Sequence, residues 1–81
     1  MGTQEMSKHH LTPAEITQII NAYLSAVALR HGERARDRTE LRYRKGIFLL
    51  RPHSIAPTAP AIPFRGREIE AMTKEMTSAV K

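Results

Sequence analysis

Four prolines, Pro52, Pro57, Pro60 and Pro63, fall within the stretch PHSIAPTAPAIP, residues 52–63. Proline has a fixed φ and no N–H to donate, so this stretch is excluded from a helix interior and from a central strand. It carries no formal charge while His53 is neutral. Fully extended as polyproline II it would reach about 37 Å, at roughly 3.1 Å per residue. It is expected to carry the chain across one element to the next. Regular structure must therefore come from the residues on either side.

Upstream, LTPAEI at residues 11–16 is a helix start. Thr12 suits the N-cap and Glu15 the third helical position, the spacing of a capping box. Pro13 falls at the first helical position, where its missing N–H costs nothing. Leu11 and Ile16 have the spacing of a hydrophobic staple. Ile16, Ile19, Ile20, Tyr23, Leu24 and Val27 then repeat with helical period. Gly32 suits the position after the helix, and Arg30 and His31 meet its C-terminal dipole. The pattern predicts a helix over 13–31. Leu29 lies opposite the stripe, beside Ala22, Ser25 and Ala26, and so offers a second, narrower contact face.

Residues 33–38, ERARDR, read as a solvated connector or a frayed extension of that helix. ELRYRKGIFLLRP, residues 40–52, predicts a β-hairpin around Lys45-Gly46. With those two residues as the loop, Tyr43 faces Phe48 and Leu41 faces Leu50. Arg42 and Arg44 then share the other face with Leu49 and Ile47. Lysine is not a favoured first residue of a type I′ turn, and a type I turn with a Gly46 bulge would shift the register by one. Because IFLL is apolar on both sides, the pattern leaves the register open. After the proline stretch a short helix is expected from Gly66-Arg67 onward. Its stripe is Ile69, Met72, Met76, Ala79 and Val80, with Glu68 and Glu70 in the first turn and Glu70–Lys74 as a supporting pair.

The expected fold is thus a small α+β module in the order α-β-β-α: a long N-terminal helix, a two-stranded antiparallel hairpin, a Pro-rich crossing and a short C-terminal helix. Residues 1–10 are expected to be a disordered tail and 11–81 a single α+β domain. Met1 and Met6 are both possible starts. At 81 residues with no cysteine, neither disulfides nor thiolate metal sites can staple the fold. Self-association as a homodimer would supply the missing stability. No apolar run approaches the roughly 20 residues that span a bilayer, and the first ten residues lack the apolar region of a secretory signal. A cytoplasmic protein without a membrane partner is expected.

The formal net charge of +5 is unevenly placed. Residues 30–51 hold Arg30, Arg34, Arg36, Arg38, Arg42, Arg44, Lys45 and Arg51 against only Glu33, Asp37 and Glu40. Such local concentration is the form an electrostatic footprint takes. Arginine binds phosphate bidentately, and a two-stranded ribbon fits a major groove. Arg36, Arg38, Arg42, Arg44 and Lys45 are the candidate contacts to a DNA or RNA backbone. The plainer reading is a solvated face, since edge strands need charge to resist aggregation. Base-specific readout is not expected, as the only Asn, Asn21, lies in the first helix.

Catalysis is not expected. The acids are scattered, no serine has a paired His and Asp, and the four glycines make no phosphate loop. His9-His10 could meet only His31 and His53, without ligand spacing, so no metal or other cofactor is expected. The alternative to nucleic-acid binding is an assembly or accessory protein, for instance of a mobile element, whose apolar surfaces meet an unknown protein partner. The helix–hairpin–helix order is similar, in architecture alone, to a lambda-type phage head-completion protein. PTAP, residues 57–60, resembles the late-domain tetrapeptide of budding viruses, and PAIPFR, residues 60–65, is similar to PxxPxR ligands of SH3 domains. A rigid structural crossing accounts for both short motifs more simply.

Overall fold

The computed structural model describes residues 11–79, with Ala79 as backbone only. The expected N-terminal tail, with its His9-His10 pair, and Val80 lie outside the described residues. The elements in chain order are α1 (Pro13–His31), α2 (Glu33–Asp37), β1 (Glu40–Arg44), β2 (Ile47–Arg51), β3 (Ile62–Phe64) and α3 (Gly66–Ala79). The protein is a small α+β module in which helix, hairpin and helix follow one another as the sequence predicts.

Helix α1 begins with the full capping box. Thr12 N–H donates to Glu15 Oε1 at 2.9 Å, and Glu15 N–H donates to Thr12 Oγ1 at 3.1 Å. Ile19, Tyr23 and Val27 of the stripe are buried, and Ile16, Ile20 and Leu24 flank them half-buried. Burial pushes the Tyr23 phenol above its ordinary 10.0, so it stays protonated within the core. At the far end Gly32 has φ +99° and donates its N–H to the Ala28 carbonyl at 2.9 Å. That conformation disfavours any side chain, and it turns the chain directly into α2. The charged 33–38 stretch is therefore a separate turn of helix with Ala35 buried under it. Leu29 is 60% exposed, as its place on the wheel implies, but Ala26 is buried. The small-residue face is thus narrower than expected and comprises Ala22, Ser25 and Leu29.

The hairpin takes the two-residue loop. Tyr43 pairs with Phe48, Leu41 with Leu50, and Arg44 with Ile47. Lys45 and Gly46 have φ +49° and +85°, the two positive values that a type I′ turn requires. Burial of Leu41, Phe48 and Leu50 on one face decides the register, and Lys45 accepts a left-handed backbone as the consequence.

The sheet has a third strand that the sequence reading did not contain. β3 pairs antiparallel with β2, setting Phe64 against Phe48, Pro63 against Leu49 and Ile62 against Leu50. The strand order β1-β2-β3 makes the IFLL strand central. Pro63 is tolerated because β3 is an edge, where a missing donor faces outward rather than into a ladder. Nor is the crossing an extended rod. Ile55 N–H bonds to the Pro52 carbonyl at 3.2 Å and Ala59 N–H to the Ala56 carbonyl at 2.9 Å, so two tight turns fold it back. The PAIPFR stretch is consequently tied into a β-ladder rather than free as polyproline II, and PTAP spans a turn.

Helix α3 starts where Gly66 predicts. The Arg65 carbonyl accepts from Ile69 N–H, and the Glu68 carboxylate accepts from Arg65 N–H at 2.7 Å, so Arg65 is the capping residue. α3 packs against α1, and both helices lie on the same face of the sheet. One cluster joins Ile19, Tyr23, Val27, Ala35, Leu41, Phe48, Leu50 and Ile69, with Met72 and Met76 packed beside it.

A left-handed Lys45 stores roughly 1–2 kcal/mol of steric cost that asparagine largely avoids. Lys45→Asn is therefore expected to stabilise the protein by about 0.5–1 kcal/mol in urea unfolding, with an unchanged slope. A lower stability would show that the turn is not of this type.

Candidate nucleic-acid interface

Alternation along β1 sorts its side chains. Leu41 is buried and Tyr43 half-buried toward the helices, whereas Glu40, Arg42 and Arg44 are exposed on the other face. Arg42 and Arg44 are about 7 Å apart along the strand. Ile47, Leu49 and Arg51 of β2 take the same outer face and are half-buried. The register sets Arg42 beside Leu49 and Arg44 beside Ile47. Arginine stems can lie over such apolar neighbours while the guanidinium stays in water.

One carboxylate divides the charge on this face. Glu40 Oε2 accepts from Arg51 at 2.6 Å, and Glu40 Oε1 lies 3.9 Å from Arg42. The Arg51 side chain is 22% exposed and also reaches the Ala59 carbonyl at 3.5 Å, tying the crossing to β2. Glu40 therefore serves chiefly as the counter-ion of a structural arginine. Arg42 keeps only a long, exposed contact, of a kind that contributes little.

Of the five predicted contacts, Arg42, Arg44 and Lys45 fall together on β1 and its turn. Arg36 and Arg38 belong to α2 and its C-terminal cap, at the opposite end of β1. Arg38 and Lys45 are separated by the whole strand, on the order of 20 Å. The predicted set is thus divided between β1 with its turn and the segment before β1, and is not one cluster. Arg36 pairs with Glu33 at 3.7 Å, while Arg38, Arg44 and Lys45 form no ion pair among the described residues.

Sequence reasoning missed two further cations. Because Phe64 pairs with Phe48, Arg65 comes next to Ile47 and the hairpin turn, and α3 then presents Arg67. Arg65, Gly66 and Arg67 line a cleft of about 720 Å³ with Gly46, Tyr43, Leu11 and Ile19, and Glu70 closes its acidic side. The apolar alternation of Ile62 and Phe64 around Pro63 was the only local signal for the strand that brings them there.

His31 and His53 meet, with ring centroids 4.8 Å apart and planes at 46°. Among the described residues no third His, Cys, Asp or Glu joins them as a metal-binding group. No helix among the described residues is long and apolar enough to cross a membrane. Comparison of the chain with protein-family models, with curated proteins and with solved structures finds no match.

Glu40→Gln removes the one acid of the outer face and keeps its size. It is expected to tighten binding of a fluorescein-labelled oligonucleotide about two-fold and to cost about 0.2–1 kcal/mol of stability through the lost Arg51 pair. Weaker binding would show that Glu40 organises the arginines rather than opposing the ligand.

Proposed function

We propose that this protein is a small, cytoplasmic, basic binding module, not an enzyme, whose Arg-rich hairpin contacts nucleic-acid phosphates with little base specificity. The observation that carries this reading is the outer face of β1. Arg42 and Arg44 are exposed there on the side opposite the helices, and Lys45 extends the row onto the turn. Arg36 and Arg38, in and after α2 at the other end of the strand, are further candidate contacts. A line of cations tracks a phosphate backbone without reading bases. Among the described residues no Asn or Gln stands on this face to read an adenine edge.

The test is fluorescence anisotropy with DNA and RNA at about 50 and 200 mM salt. Micromolar affinity falling several-fold with salt is expected, and the salt slope counts the phosphates contacted. Arg42→Glu with Arg44→Glu should weaken binding at least ten-fold and flatten the slope by about two contacts, without loss of the folded circular dichroism signal. Unchanged affinity in that double variant removes the hairpin as the contact surface.

A second reading is favoured by Leu29, the most exposed large apolar side chain among the described residues, and by the exposed Ala22 and Ser25 on its face. On this reading the protein acts through assembly, as a homodimer or with a protein partner, and α1 supplies the contact. Leu29→Glu should then convert a dimer to a monomer in sedimentation equilibrium. A mass unaffected by the substitution would exclude that face.

A further inference from the structure

The hairpin reading leaves the cleft at the turn end of the sheet unused. Its cationic side comes from Arg65 and Arg67, where β3 passes into α3. Gly46 of the hairpin turn belongs to the lining, and Leu11, Ile19 and the half-buried Tyr43 supply its apolar part. Among the described residues Glu70 is the only acid lining it, so the cleft is net positive. Its volume of about 720 Å³ falls inside the range of roughly 300–1,000 Å³ typical of small-molecule sites.

A floor for a flat apolar face and a rim for an anion are the two requirements of a nucleotide. Arg65 N–H is held by Glu68 at 2.7 Å and is closed to an anion. The guanidinium groups of Arg65 and Arg67 offer the bidentate geometry that phosphate accepts. A base in a duplex is stacked and paired, and it cannot enter such a cleft. A base in a single strand can be splayed out and laid against an aromatic ring.

We propose that this cleft takes one unstacked nucleotide of a single-stranded nucleic acid, its base against Tyr43 and its phosphate held by Arg65 and Arg67. This rests on the phosphate-contacting reading above and adds to it a preference for single strands. The hairpin row then carries the neighbouring phosphates, and the cleft decides which form of nucleic acid is held.

The experiment compares a 12-nucleotide oligothymidine, a 12-base-pair duplex and a polyglutamate peptide by anisotropy competition, using wild type, Arg65→Glu with Arg67→Glu, and Arg42→Glu with Arg44→Glu. A negative residue at position 67 suits the first turn of a helix, so the first double variant is expected to fold. Arg65→Gln with Arg67→Gln replaces it should circular dichroism show otherwise. The single strand is expected to bind at least five-fold more tightly than the duplex. Loss of Arg65 and Arg67 should weaken the single strand ten-fold or more and the duplex less than two-fold. Tyrosine emission should fall on adding oligothymidine, and that change should vanish in Tyr43→Phe, since the other tyrosine, Tyr23, is buried.

Equal affinity for single strand and duplex, or indifference to the Arg65 and Arg67 changes, would overturn the cleft proposal. In that case sensitivity to the Arg42 and Arg44 changes would leave the hairpin reading standing. Polyglutamate competing as well as oligothymidine through the same two arginines would make the cleft a site for acidic peptide instead. Absence of binding to every nucleic acid at 50 mM salt would sink both readings together.

Discussion

The packing around Phe48 is the interaction on which the rest of this small fold depends. Its side chain is completely buried on the central strand, between Tyr43 on one neighbour and Phe64 on the other. The Tyr43 ring meets it edge-on with centroids 4.9 Å apart, a favourable aromatic geometry. From above, Gly66 lies where a Cβ would meet Phe48 Cε1 at 3.4 Å, an ordinary van der Waals contact. The first turn of α3 thus rests on the ring, with Leu11 just before α1 and Ile19 within it almost as near. One aromatic side chain thereby joins the sheet, the start of α3 and the start of α1. In a chain too small for a deep core, stability has to be concentrated at such a point.

The same packing organises the charge. Once Phe48 fixes the hairpin register, Arg42 and Arg44 must face away from the helices. Once Phe64 joins Phe48, Arg65 must arrive beside the turn that carries Lys45. The positive surface is therefore a by-product of which side chains are buried, and its shape follows the sheet and not the sequence. Glu40 shows the converse. It stands in the middle of the basic stretch, yet its short contact is with Arg51, where it helps hold the crossing against the central strand.

Much of this architecture is legible in the residues, and the exceptions have physical causes. The capping box at Thr12 and Glu15 and the stop at Gly32 are local, so they can be read directly. The hairpin register is not local. Lys45 argues against a type I′ turn, and only the burial of Leu41, Phe48 and Leu50 in three dimensions overrides it. β3 is obscured by Pro63, whose absence from central strands says nothing against an edge. With β3 unseen, Arg65 and Arg67 look like ordinary helix-start charges, and the crossing looks like a rod instead of a pair of turns. Ala26 is buried although the wheel groups it with the exposed small residues, because a wheel shows spacing and not neighbours.

The two edges of the sheet are closed by different means. β3 presents a proline, which has nothing to donate to an incoming strand, and β1 presents alternating charged side chains whose desolvation a new strand would have to overcome. Growth of the sheet by strand addition, whether from a second copy or from an extended peptide, is opposed on both sides. A partner must therefore approach from above or below or along the helices, and the molecule resists sideways polymerisation even though its central strand is among its most apolar segments.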